Sequence, residues 1–156
     1  MMKKLLTIAG MLAYFAAASA HAQSIEITPN GQNPTRSADP SQFSGQVLVD
    51  ALTTKGSSAF AGSGLVTFAP GARTAWHSHP AGQWLYVTVG NGWVQQEGQP
   101  VRDIKAGDAV WIPAGVKHWH GATDKNGMSH VAVTPHRDGK NVDWMEQVSD
   151  TDYRKR

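Results

Sequence analysis

Short runs of alternating apolar and polar residues follow one another along most of this chain, and each ends at Gly, Pro or Asn. Residues two apart in a strand face the same side of a sheet, so each run predicts a strand with one buried face. The runs cover residues 47–49, 64–69, 83–89, 93–97, 101–104, 109–112, 117–121 and 129–134. A spacing of about ten residues is typical of an antiparallel sandwich or barrel, not of strands that alternate with helices. The sequence therefore predicts an all-β fold.

The two ends of the chain depart from this pattern. Residues 23–44 are rich in Pro, Asn, Ser, Thr and Gly, and they predict a loose arm in which only residues 25–27 alternate like a strand. Residues 142–153 lack Gly and Pro and carry apolar residues at helical spacing, which predicts one short amphipathic helix capped by Asn141. We therefore expect an arm over 23–44, a barrel over 45–140, and a C-terminal helix and tail over 141–156.

Residues 1–22 have the composition of a secretory signal peptide. Lys3 and Lys4 precede an apolar run over 5–18, and residues 20–22 read Ala-His-Ala, a small-x-small cleavage site. The run is short for a transmembrane span, and no Arg pair precedes it, which favours the general secretory route. We expect an exported, periplasmic protein with no membrane association after cleavage; a retained N-terminal anchor is the alternative.

The charge balance does not indicate a nucleic-acid partner. The chain has 14 Lys and Arg against 12 Asp and Glu, and the predicted leader holds two of the Lys and no acidic residue. The chain that follows the leader is therefore near neutral and does not predict a basic groove. The absence of Cys excludes disulfides and thiolate metal sites.

Histidines in two pairs supply the candidate chemistry. His77 and His79 lie two residues apart, His118 and His120 repeat this relation, and a Gly/Pro turn lies beside each pair. Gln83 begins the next strand and its inward face, which continues with Leu85, Val87 and Val89. A lone strand His is more often a surface or satisfied core residue than a ligand, but matched pairs favour a site. Imidazole suits Mn, Fe, Co, Ni, Cu and Zn alike, so His77, His79, Gln83 and His118 could close around one ion.

The spacing of these residues resembles the two motifs of the cupin superfamily. Residues 71–90 read Gly, five residues, His-x-His, three residues, Gln, six residues, Gly, which is similar to the first motif. Residues 107–118 read Gly, five residues, Pro-x-Gly, two residues, His, which is similar to the second. The first motif usually has Glu where this chain has Gln83, and the second commonly ends in Asn where this chain has Ala122.

This resemblance implies a double-stranded β-helix, a jelly-roll barrel with a metal ion in its mouth. Four stretches between residues 43 and 153 are also similar to small single-domain bacterial cupins that include manganese-dependent (R)-selective hydroxynitrile lyases: W-H-S-H-P-A-G-Q, V-W-I-P-A-G-V-K-H-W-H-G-A, M-S-H-V-A-V and V-D-W-M-E-Q-V-S-D-T-D-Y. Such cupins use three His and one Gln, which carries over to His77, His79, Gln83 and His118. The expected ion is Mn(II), with Fe(II) or Zn(II) as alternatives.

The resemblance also places His120 and His130 in the active site. His120 shares a strand face with His118, and His130 begins a strand whose alternate residues, Ala132 and Thr134, are small enough to line a cavity. We expect His130 to act as the general base and His120 as an orienting or proton-relay residue. Thr134 stands where we expect a bulkier polar residue in some relatives, so it bears on pocket size.

Three functions fit these residues. The first is reversible cleavage of an α-hydroxynitrile, such as mandelonitrile, to an aldehyde and cyanide. The second is a metal-dependent dioxygenase acting on a small aromatic compound, and the third is a non-catalytic binder of a metal or small molecule. Gln83 makes the ligand set neutral, which strengthens Lewis-acid polarisation of a substrate oxygen and favours the lyase. Cupins of this size resemble dimers or tetramers, and the Trp-rich strands are compatible with a homo-oligomer.

Overall fold

The computed structural model describes residues 25–53 and 60–154, so the signal peptide predicted over 1–22 lies outside the described residues. Twelve strands and one short helix make up this described part. They are β1 (Arg36–Ser37), β2 (Phe43–Ser44), β3 (Val47–Ala51), β4 (Ala61–Phe68), β5 (Arg73–Thr74), β6 (His77–Ser78), β7 (Gln83–Gln96), β8 (Arg102–Lys105), β9 (Ala109–Ile112), β10 (His118–Ala122), β11 (Met128–Pro135), β12 (Asp143–Trp144) and α1 (Asp150–Arg154). The predicted all-β fold is confirmed.

Two antiparallel sheets share the long strand β7. Its first half pairs with β9 and β11, and its second half pairs with β8 and β10. The first sheet continues from β11 through β4 and β3 to β1, whereas the second holds β5, β6, β2 and β12 beside β10. The runs predicted over 83–89 and 93–97 are thus one strand, because Gly90 adopts a positive φ of 77° and bends the chain without ending the pairing. The architecture is a double-stranded β-helix, as the resemblance to cupins implied.

A β-bulge interrupts the pairing of β7 with β11. Ser129 lies opposite Val89 but His130 lies opposite Val87, so Thr88 is an extra residue on β7. The alternation of inward and outward side chains breaks here, and Val89, which was predicted to face inward, is 63% exposed. The bulge lies directly beside His130.

Two apolar clusters stabilise the described part of the chain. The larger lies between the sheets and is formed by Val47, Phe68, Ala72, Val87, Val94, Ile104, Ala122 and Met128. The second covers the outer face of the β10 sheet and is formed by Trp76, Trp93, Trp119, Val148 and Tyr153. The second cluster fixes the C-terminal segment against the sheet, because two of its members come from that segment.

The helix predicted over 142–153 is wrong for most of its length. Asp143 and Trp144 form β12 on the edge of β6, and the N–H of Met145 donates to the carbonyl of Trp76 at 2.9 Å. A short isolated helix is only marginally stable, so pairing with an open sheet edge outweighs the helical spacing. The helix α1 begins later and its cap is Ser149, whose Oγ accepts a hydrogen bond from the N–H of Asp152 at 3.0 Å.

The N-terminal arm also differs from its prediction. Residues 25–27 form no strand, and Ile25 is 93% exposed. Further along, β1 pairs with β3 of one sheet and β2 pairs with β5 of the other, so residues 36–44 cross between the sheets. The amide of Gln147 donates to the carbonyls of Pro40 and Ser41, and it accepts from the hydroxyl of Ser44. This part of the arm is anchored on both sheets and on the C-terminal segment.

Within the described ranges, no helix has the length and apolar character needed to cross a membrane.

Candidate metal centre

Strand starts and one tight turn bring the predicted site residues together. His77 begins β6 and lies opposite His118, the first residue of β10. His79 follows β6, and Gln83 opens β7 after a turn at Gly82. Gly82 has a φ of 81°, and a Cβ there would lie 2.6 Å from the ring of Trp111, so the turn requires glycine.

Three imidazole rings form a compact buried group. The ring centroids of His77 and His118 are 4.1 Å apart, those of His77 and His79 5.0 Å, and those of His79 and His118 5.5 Å. One nitrogen from each ring lies within 4.8 Å of the others. This separation allows three nitrogens to bind a single divalent ion.

Backbone carbonyls fix the tautomer of all three rings. Nδ1 of His77, His79 and His118 lies 3.0, 2.5 and 2.9 Å from the carbonyl oxygens of residues 75, 141 and 116, respectively. A carbonyl only accepts, so each Nδ1 carries the proton and each Nε2 presents a lone pair. Nε2 of His79 and of His118 is buried without a hydrogen-bond partner. Such orphaned acceptors are the arrangement that a metal cation requires.

Gln83 adds an oxygen to this group. Its Nε2 donates to Oγ1 of Thr134 at 3.1 Å, while its Oε1 is buried without a partner. The amide lies against the ring of His79. The four donors fit a divalent ion through three imidazole nitrogens and one amide oxygen, and they carry no formal charge. His77, His79, Gln83 and His118 thus come together as predicted; their roles as ligands stay a prediction.

Burial keeps these histidines uncharged. It lowers the pKa of His77 well below the usual value, with a further lowering from His118. It lowers the pKa of His118 to about 4. Burial also lowers the pKa of His79, against the opposing effect of the Asn141 carbonyl. Neutral imidazole is the form that binds a metal, so the fold presents these rings ready for an ion.

His120 and His130 form a second buried pair beside the first group. Nε2 of His130 lies 3.2 Å from Nδ1 of His120, whereas Nδ1 of His130 and Nε2 of His120 are buried without partners. The ring of His120 is 5.3 Å from that of His77, and Phe68 packs against both members of the pair. His120 therefore lies between His130 and the three-histidine group.

A cavity of about 340 Å³ is lined by His120 and His130 and by two of the three clustered histidines, whereas His118 lines a separate pocket of about 370 Å³. The floor of the first cavity holds His77, His79, Gln83, His120 and His130, and its walls include Val49, Val66, Ala132 and Thr134. The arm and the C-terminal segment form a roof through Arg36, Asp39, Phe43, Val142 and Trp144. A larger surface groove of about 760 Å³ runs from Trp76 to Asp152 but contains none of these histidines, so the smaller cavity is the candidate site.

The roof is the part of the site that the motifs did not predict. The ring centroid of Trp144 lies 4.8 Å from that of His77 and 5.5 Å from that of Phe43. The carbonyl that orients His79 belongs to Asn141. Phe43 and Trp144 lie in no metal motif. A signal that could have found them is the similarity to related cupins over residues 43–153, which extends beyond both motifs.

The fold and the three-histidine group define a class of protein, and comparison with known sequences agrees with it. Residues 64–134 match the cupin domain. The chain belongs to the cupin family. It is 47% identical over 131 residues to the (R)-mandelonitrile lyase of Granulicella tundricola, a match that covers 84% of this chain and 100% of that protein.

Solved structures show the same fold. A cupin-like protein from Thermotoga maritima superposes with a TM-score of 0.72 at 39% identity, covering 76% of this chain and 90% of that one. A polyketide cyclase from Streptomyces resistomycificus superposes with a TM-score of 0.66 at 15% identity, covering 83% and 91%. The second likeness concerns the fold alone.

Proposed function

We propose that this cupin is a metal-dependent enzyme of the hydroxynitrile lyase type, which reversibly cleaves an α-hydroxynitrile such as mandelonitrile to an aldehyde and cyanide. The observation that carries the proposal is the buried pair of His120 and His130, which faces the same cavity as His77, His79 and Gln83. The 47% sequence identity to a protein named (R)-mandelonitrile lyase supports the same class of reaction.

His77, His79, Gln83 and His118 would hold the ion, which we propose to be Mn(II), with Fe(II) or Zn(II) as alternatives. When bound, the ion supplies Lewis-acid polarisation of the substrate's oxygen. The four protein donors bring no negative charge to the site, so they leave the attraction for an alkoxide undiminished.

The cavity must also move a proton, and the histidine pair can do so. In one tautomer His130 donates from Nε2 to His120, which leaves Nδ1 of His130 bare as the base. In the other tautomer, Nδ1 of His120 donates to Nε2 of His130, which leaves Nε2 of His120 without a proton. We assign the base to His130 and an orienting or relay role to His120.

The pair of His120 and His130 can carry the proton through the whole reaction. The imidazole takes the proton of the substrate hydroxyl, and the O–H electron pair becomes the second bond of the carbonyl. The C–C bond breaks with its electrons on cyanide, which then takes the proton from the imidazolium to leave as hydrogen cyanide. Burial lowers the pKa of His130 to about 4, so the imidazole is neutral and able to accept the proton near neutral pH.

Two variants separate the metal role from the proton role. His118→Ala is expected to lose both bound metal and cyanide release from mandelonitrile. His130→Gln is expected to keep its metal, measured by elemental analysis, while cyanide release falls by about 10²- to 10⁴-fold. His136→Gln lies outside the cavity and serves as the control.

Two results would count against the proposal. Undiminished cyanide release by His130→Gln would remove the base assignment but leave the metal role. Metal-dependent O₂ uptake with catechol, without cyanide release from mandelonitrile by the unmodified protein, would identify an oxygenase instead.

We further propose that the protein is exported to the periplasm, on the composition of residues 1–22. N-terminal sequencing of the protein from a periplasmic fraction should begin at Gln23. Recovery of the intact N-terminus from membranes would instead support an anchor.

A further inference from the structure

Gln83 can bind a cation in only one orientation of its side-chain amide, unlike the Glu that is usual in the cupin motif. The two oxygens of a carboxylate are equivalent acceptors, so either can face a cation. An amide has one acceptor, Oε1, and one donor group, the Nε2 amine. Rotation of the amide by half a turn would direct N–H groups at the ion, so a Gln ligand needs a partner that fixes its orientation.

Thr134 is in the right place to be that partner. It lies on β11 one position beyond Val133, which is paired with Trp84, so the register brings it beside Gln83. Both side chains are buried, Gln83 at 5% and Thr134 at 7% exposure. The Nε2 group of Gln83 donates to Oγ1 of Thr134 at 3.1 Å.

The other end of the amide then faces the histidines. Oε1 of Gln83 is buried without a partner and the amide lies against His79, whose Nε2 is also an orphaned acceptor. Two acceptors placed together are unfavourable unless a cation lies between them. In this orientation the hydroxyl of Thr134 accepts from the amine, so with a cation beside Oε1 it would keep the amine satisfied on the side away from the ion.

We propose that Thr134 is a positioning residue that sets the orientation of the Gln83 amide and so makes Oε1 a metal ligand. The inference rests on the proposed metal centre. Its consequence is that Gln83 and Thr134 form a matched pair: the hydroxyl is needed because the ligand is an amide, and the need disappears when the ligand is a carboxylate.

The first test measures Mn(II) affinity, with free Mn(II) followed by electron paramagnetic resonance. Thr134→Val removes the hydroxyl at nearly constant shape and should weaken Mn(II) binding by about tenfold or more. Thr134→Ser keeps the hydroxyl and should bind nearly as the unmodified protein does. Thr88→Val makes the same substitution on an exposed outward position of β7 and serves as the control.

The decisive test repeats Thr134→Val in a Gln83→Glu background. The carboxylate has no wrong orientation, so the same substitution should now change Mn(II) affinity by less than about twofold. An equal loss in both backgrounds would show that Thr134 only fills space. Unchanged affinity for Thr134→Val beside intact Gln83 would also overturn the inference.

Cyanide release is measured separately on the same proteins. If the affinities follow the predicted pattern and none of the proteins cleaves mandelonitrile, the positioning role of Thr134 stands and the lyase function fails. If the unmodified protein releases cyanide while the two backgrounds respond alike to Thr134→Val, the lyase function stands and the positioning role fails.

Discussion

The hydrogen bond that each buried histidine makes through one nitrogen decides what its other nitrogen can do. His77, His79 and His118 donate from Nδ1 to backbone carbonyls, which leaves Nε2 as a lone-pair donor. His120 and His130 bond to each other. A shared proton and one bare outer nitrogen suit proton transfer, whereas carbonyl-fixed rings suit metal binding.

At this scale the pH dependence of folding reports on His130. Burial lowers its pKa from the usual 6.5 to about 4, so between these values the unfolded chain binds the extra proton and the folded chain does not. The stability that neutral His130 contributes is present above pH 6.5 and is lost as the pH falls toward 4. Compared with His130→Gln, the unmodified protein should lose about 2–3 kcal/mol of unfolding free energy between pH 7 and 4.5.

Urea unfolding at each pH checks this prediction. The difference between the unmodified protein and His130→Gln should grow steadily in acid. Parallel pH profiles for the unmodified protein and His130→Gln would contradict a buried neutral His130.

Alternating polar and apolar residues predict a strand that has one buried and one exposed face. They do not predict a strand that forms only because it pairs with a segment far away in the sequence. The strands β9 and β10 and the two halves of β7 were predicted because turns and alternating residues mark their ends. The strand at Asp143–Trp144 was not, because it exists through the free edge of β6, which local spacing does not reveal. Likewise, the sequence predicted three histidines at one site, but not that the carbonyl of Asn141 orients His79.

The roof elements make an element-scale prediction. Gln147 joins the C-terminal segment to the arm through bonds with Pro40, Ser41 and Ser44, so Gln147→Ala should loosen residues 36–44. Each bond contributes about 0.5–1.5 kcal/mol, which should raise amide hydrogen exchange in the arm while Mn(II) affinity stays near that of the unmodified protein. Gln99→Ala, a truncation of the same kind outside the cavity lining, should leave exchange in the arm unchanged. Equal exchange in both variants would mean that Gln147 does not hold the arm.

At the scale of the whole molecule, exposed aromatic residues on the outer face of β7 and β9 favour association of several chains. Trp84, Tyr86 and Trp111 are 40%, 41% and 58% exposed on neighbouring strands, and the first two rings stack at 5.9 Å. Large exposed aromatic patches are unusual on monomers, so we propose that this face joins chains in a dimer or tetramer. Trp111→Ser should shift the sedimentation coefficient toward that of a monomer. Sedimentation of the unmodified protein as a monomer at micromolar concentration would contradict the proposal.

We propose that this β-helix holds one metal ion on three histidines and that the reaction depends on it. The most direct measurement is cyanide release from mandelonitrile before and after removal of metal with a chelator, followed by return of Mn(II). We predict loss of cyanide release on stripping, recovery at about one ion per chain, and no recovery in His77→Ala. Full cyanide release by the stripped protein, or full metal content in His77→Ala, would contradict the claim.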